Sequence, residues 1–142
     1  MTDLDLPDVN VLVALLHPDH VHHPVAQHWF ADTQRFATTP ITESGLIRMA
    51  LNPAVTGIAV RTADALASLA SVRADPRAEF LADDSSLSAA RVDLIALVGH
   101  KQVTDLHLVN LVSAHDARLV TLDTRIRPAL APADQERVLV LG

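Results

Sequence analysis

The chain has 142 residues, 49% of them hydrophobic, which is the size of one domain with a real core. It has no cysteine, so disulfide staples, thiolate zinc sites and cysteine nucleophiles are excluded. Seventeen acids against eleven bases give a net charge of −6, which excludes a diffuse basic surface for nucleic acid.

Along the chain, strand-like and helix-like stretches alternate. Leu4–Pro7 reads as a short strand ending at Asp8, and Val9–Leu16 as a compact apolar helix. Neither that helix nor the apolar run 94–98 approaches the ~20 residues that cross a bilayer. The acidic segment from Met1 to Pro7 lacks the basic start and apolar block of a secretion signal, so a cytoplasmic protein is expected. Val25 and Trp29, like Ala26 and Phe30, repeat at i, i+4 and predict an amphipathic helix from 24 to about 34. Residues 36–38 read as a strand. Thr39 as cap and Pro40 in the first turn open a helix to about Leu51, where Asn52-Pro53 stops it.

Residues 62–72 form an Ala/Leu-rich helix whose face is either core or a dimer surface. Asp75-Pro76 breaks it before a weak strand at 78–81. In 83–97, Ser85, Ser86 and Ser88 argue for loop, whereas 92–98 argues for burial. Thr104 caps a helix with Leu106, Val109 and Val112 at the 3.6-residue period. Asp116-Ala117 turns the chain, 118–122 is the clearest strand and 138–141 the last. Strands separated by helices predict one α/β domain over residues 1–142, a three-layer α/β/α sandwich on a parallel sheet.

In such a fold ligands bind at the C-terminal edge of the strands. Asp8 directly follows the first strand, and Glu43 lies in the first turns of the helix after the second. Asp105 is the second residue of its predicted helix. From there the helix descends ~16 Å and the following strand climbs back ~16 Å, returning the chain to the same edge at Asp123. Singly, Asp8 and Asp105 are explained as a helix cap and a dipole partner, and Asp123 as an Asx turn. Glu43 is not the capping-box residue, which is Thr42. Convergence from four junctions is what those explanations leave out. Crowded carboxylates repel unless a cation neutralises them, and oxygen-only ligands suit Mg²⁺ or Mn²⁺.

These residues resemble a known family. Asp8-Val-Asn10, Thr42-Glu43, Val103-Thr104-Asp105 and Leu119-Val-Thr121-Leu-Asp123 are similar to the four acidic motifs of PIN-domain ribonucleases. The short single-domain form resembles the VapC toxins of bacterial toxin–antitoxin pairs. The stretches 17–29, Arg48 to Asn52-Pro53 and His100 to Asp105 resemble one VapC subgroup. The resemblance implies a Mg²⁺- or Mn²⁺-dependent endoribonuclease that hydrolyses structured RNA such as tRNA or rRNA. It implies Asp8, Glu43 and Asp105 as the principal metal-holding, catalytic acids and Asp123 as the fourth. Asn10 and Thr121 then orient water or a carboxylate. It also implies a VapB-type antitoxin as partner, and a homodimer. Many relatives carry glycine where this chain has Asp116-Ala117, and aspartate tolerates the left-handed conformation needed there.

Other signals are weaker. Five of the eight histidines fall between His17 and His28, but Pro18 and Pro24 interrupt the spacing and no partner pair exists, so a solvated loop is expected, with RNA contact as the second option. Arg48 is either a phosphate ligand or part of a solvated face. Four aromatics and four glycines leave no base-stacking platform or Gly-rich phosphate loop. Two rival enzyme or signalling classes fit less well. A receiver-type signalling domain needs paired acids after the first strand and a late lysine, whereas the only lysine, Lys101, precedes a helix. A haloacid-dehalogenase-like phosphatase needs Asp-x-Asp where the chain has Asp8-Val-Asn10. A catalytically silent interaction module of the same fold is the third alternative.

Overall fold

In a computed structural model, residues 3–142 are described; Met1 and Thr2, the start of the acidic N-terminal segment, lie outside the described residues. Strands β1 (Leu4–Pro7), β2 (Arg35–Thr38), β3 (Ala78–Phe80), β4 (Arg118–Thr121) and β5 (Val138–Val140) form one sheet. Their order is β3-β2-β1-β4-β5 and every pairing is parallel. Helices α1 (Val9–Leu16), α2 (His23–Asp32), α3 (Pro40–Ala50), α4 (Pro53–Thr56), α5 (Thr62–Ala74), α6 (Val103–Ala114) and α7 (Ile126–Ala129) lie between and around the strands. This is the expected α/β sandwich.

Two apolar clusters cover the two faces of the sheet, because alternate strand residues point opposite ways. Leu4, Leu6 and Leu119 pack with Leu106, Val109 and Val112 of α6. Phe36 and Val120 pack with Val11 to Ala14 of α1, Trp29 of α2, Leu46 of α3 and Val72 of α5. The exception in β1 is Asp5, which is buried. It accepts hydrogen bonds from Trp29 Nε1 (2.8 Å) and the Thr33 hydroxyl (3.1 Å), and pairs with Arg118 at 3.1 Å. One carboxylate thus ties β1, α2 and β4 together, and its partners compensate its burial.

Several element boundaries differ from the sequence reading. The Asn52-Pro53 break ends α3 but also opens α4, where Asn52 Oδ1 accepts from the Ala54 amide at 3.0 Å. Thr104 is not a cap: a 3₁₀ turn over His100–Gln102 runs directly into α6, which starts at Val103. Asp105 is therefore the third residue of its helix, not the second. The α7 helix and a 3₁₀ stretch at Pro132–Arg137 were not expected, being too short to display a period. In 83–97 both competing signals are realised. The segment is irregular with 3₁₀ turns at Leu87–Ala89 and Leu94–Ala96, yet Val92 and Ala96 are buried. Asn110 of α6 anchors it, accepting from the Arg91 amide at 2.8 Å and donating to the Ser86 carbonyl at 3.4 Å. Asp116 has φ +50°, the left-handed turn expected there.

Candidate active site

Chain order reverses at the centre of the sheet: β2 and β3 lie on one side of β1, β4 and β5 on the other. Connections leaving β1 and β4 therefore part in opposite directions, which opens a crevice at the strands' C-terminal ends. Asp8 and Asp123 are the residues at that crevice. The pairing of β1 with β4 extends to Asp8, whose amide donates to the Val120 carbonyl at 2.8 Å. Its side chain is buried and caps α1, accepting from the Val9 amide at 2.7 Å. The Thr121 hydroxyl donates to the other Asp8 oxygen at 3.1 Å and accepts from the Asp123 amide at 3.0 Å. Thr121 is thus the link that sets both acids, and the capping explanation of Asp8 is realised alongside its place in the crevice.

Asp105 approaches from the first turn of α6 and is half-buried. Among the described residues its carboxylate makes no side-chain hydrogen bond or ion pair. Burial first, then the charges of Asp8 and Asp123, push its carboxyl up from 3.8 to about 6, against a smaller downward pull from Arg125. Burial also raises Asp8, its hydrogen bonds from Val9 and Thr121 opposing that and Asp123 adding to it. Asp123 goes the other way. Arg125 donates to both of its oxygens, at 3.0 and 2.9 Å, and holds the carboxyl below the ordinary range.

Glu43, in the first turn of α3, is held differently. Thr38, the last residue of β2, donates its hydroxyl to Glu43 at 2.6 Å, and Arg73 of α5 stands 3.7 Å away. Asp8, Asp105 and Asp123 thus act on one another, while Glu43 is engaged by Thr38 and Arg73 at the neighbouring strand end. Among the described residues, no three His, Cys, Asp or Glu side chains are already spaced to hold one ion. Asn10 is exposed on α1 and lines a cleft with Asp123. Arg48 is exposed on α3. Thr42 does receive the Thr39 amide, at 3.1 Å, which leaves Glu43 free of capping work.

Two clefts flank the acids. One, about 480 Å³, is largely apolar and runs from Asp105 and Asp123 along Ile95, Val98, Leu106 and Ile126. The other, about 370 Å³, is polar and contains Asn10, His20, His22, Asp123, Thr124 and Arg125. Sequence reasoning missed Thr38, Arg73 and Arg125, since their partners lie on other elements or carry no local motif.

The chain is 45% identical over 123 residues to ribonuclease VapC38 of Mycobacterium tuberculosis, covering 85% of this chain and 86% of that protein. The chain belongs to the VapC ribonuclease family. VapC39 of the same species is 41% identical over 124 residues, covering 85% of this chain and 89% of its own. VapC20 of M. tuberculosis, described as a toxin that cleaves the sarcin–ricin loop, shares the VapC fold with a TM-score of 0.62. That match covers 88% of this chain and 94% of VapC20 at 13% identity. No protein-family model matches the chain. Membership of the VapC family sets aside the receiver and phosphatase readings.

Proposed function

We propose that this VapC chain is a single-domain, cytoplasmic, Mg²⁺- or Mn²⁺-dependent endoribonuclease acting on structured RNA such as tRNA or rRNA loops and neutralised by a VapB-type antitoxin. The observation that carries the reading is Asp105: half-buried, unpaired, and raised to about 6 by burial beside Asp8 and Asp123. A carboxylate so placed is unfavourable alone and favourable beside a cation. The donor set, all oxygen, fits a hard divalent ion. Asp8 and Asp105 would hold it, with Asp123 and Glu43 completing the set directly or through water.

When bound, the ion supplies Lewis acidity, drawing charge from phosphoryl oxygens and making water a stronger acid. The chain's residues do the positioning. Val9 and Thr121 fix Asp8 in one orientation, so its carboxylate is ordered before substrate arrives. Thr38 fixes Glu43 in the same way. Asn10, exposed beside Asp123, orients water or substrate at the polar cleft.

The apolar cleft supports the antitoxin: Ile95 and Val98 are exposed, and Asp105 and Asp123 stand at its end. A partner segment with apolar anchors and one basic side chain would match it. A homodimer through α5 is supported by exposed Leu66 on that helix, although Ala65 and Val72 of the same helix are in the core. Among the described residues, no helix is long and apolar enough to cross a membrane.

Labelled total RNA incubated with the purified chain tests the reading. Cleavage should require Mg²⁺ or Mn²⁺, stop in EDTA and fall at least ~100-fold in Asp8→Asn and Asp105→Asn, as expected when a charged group acting in the transition state is removed. Full activity in EDTA or in either variant would overturn it.

A further inference from the structure

The histidine-rich turn between α1 and α2 is unexplained by the acid site, yet it forms one wall of the polar cleft beside Asp123. His20 is half-buried and His22 exposed, with ring centroids 5.7 Å apart. The His22 amide donates to His20 Nδ1 at 3.0 Å. That bond fixes the tautomer: Nδ1 accepts, so in the neutral ring the proton sits on Nε2 as a free donor. Burial, followed by the charges of His22, His17 and His23, lowers the His20 pKa and favours the neutral ring. His23 is committed elsewhere, its Nδ1 bonded to the Ala14 carbonyl at 2.9 Å.

The same cleft is lined by Asn10, with a carboxamide that both donates and accepts, and by Thr124, with an exposed hydroxyl. Arg125 also lines it and is pinned to Asp123. At about 370 Å³ the cleft is near the lower end of the range of small-ligand sites. A phosphate would meet one occupied guanidinium there and a nearby carboxylate. A neutral, planar ligand with donors and acceptors on its edge would meet an imidazole face, an N–H, an amide and a hydroxyl. Unstacked RNA bases have that chemistry, and stacking on His is one of the ways proteins hold them.

We propose that the cleft lined by Asn10, His20, His22 and Thr124 is a base-specificity subsite, receiving an unpaired nucleobase next to the scissile phosphate. The inference rests on the ribonuclease reading for its position relative to the cut. It assigns His20 the base's edge and ring face, and makes single-stranded loop sequence, not duplex shape, the feature that is read there.

The test uses short labelled RNA oligonucleotides that differ only in the base flanking the cut, with two readouts, steady-state kinetics and fluorescence anisotropy in EDTA. His20→Ala and Asn10→Ala should raise KM about tenfold with a much smaller change in kcat, and should flatten the preference among the four bases. His28→Ala, an exposed residue of α2 that does not line this cleft, serves as the control and should leave both unchanged. Circular dichroism confirms that each variant is folded. Unchanged KM and unchanged base preference in folded His20→Ala would overturn the subsite while leaving the nuclease intact. Base-dependent binding that His20→Ala abolishes, in a wild type that cleaves nothing, would uphold the subsite and overturn the nuclease reading.

Discussion

Asp105 is the residue where stability and the proposed function oppose each other most directly. Its carboxyl in the folded chain titrates near 6 against an ordinary 3.8, so between those values the folded state binds more protons than the unfolded. Stability contributed by this group is therefore greatest below about 4 and is lost as pH rises through 6. Asp105→Asn removes the charge, and its melting temperature in EDTA should exceed that of wild type at pH 8. The gap should close as pH falls from 6 to 4; a variant that melts well below wild type at pH 8 would mark Asp105 as a structural group. Asp5 is the opposite case. It is buried with three partners, and Asp5→Ala would strand Arg118 and the Trp29 indole N–H, costing ~2–4 kcal/mol. Urea unfolding would check this, with a loss under 1 kcal/mol counting against it.

The helices that deliver the acids are set by close packing. Gly45 of α3 faces Val9 of α1, and a Cβ there would stand 2.5 Å from the Val9 methyl. Gly45→Ala must push Val9, the residue after Asp8, and should cost ~1–3 kcal/mol while reducing activity. Denaturation midpoints and cleavage rates measured together would test this, and a neutral effect on both would refute it. The strands and long helices were legible in the sequence because their apolar spacing and Asn-Pro, Asp-Pro and Thr-Pro breaks are local signals. Thr104 was misread as a cap because a preceding 3₁₀ turn leaves no trace in composition. Topology alone led to the expectation that Asp8, Glu43, Asp105 and Asp123 meet at one edge. In the structure Asp8, Asp105 and Asp123 act on one another while Glu43 is engaged by Thr38 and Arg73. That Arg125 would clamp Asp123 and Arg73 would face Glu43 could not be inferred, since these depend on side-chain reach across elements or within an ordinary turn.

As a molecule, the chain places a net charge of −6 behind a site that must meet a polyanion. Encounter with RNA then depends on local groups and on counterions, and added monovalent salt should weaken binding less steeply than for a basic nuclease. A shallow slope of log Kd against log salt would agree with this, and a slope of several units would not. The proposal places cation binding in the crevice at the sheet's central reversal, where the three aspartates act on one another. Thermal melting of wild type and Asp105→Asn, each in EDTA and in a saturating series of Mn²⁺, tests that most directly. A ligand that binds only the folded state at 100 times its Kd stabilises by ~2.7 kcal/mol. The wild type should therefore melt several degrees higher in Mn²⁺, and the variant should show less than half that shift. No shift in the wild type, or an equal shift in both proteins, would contradict the account.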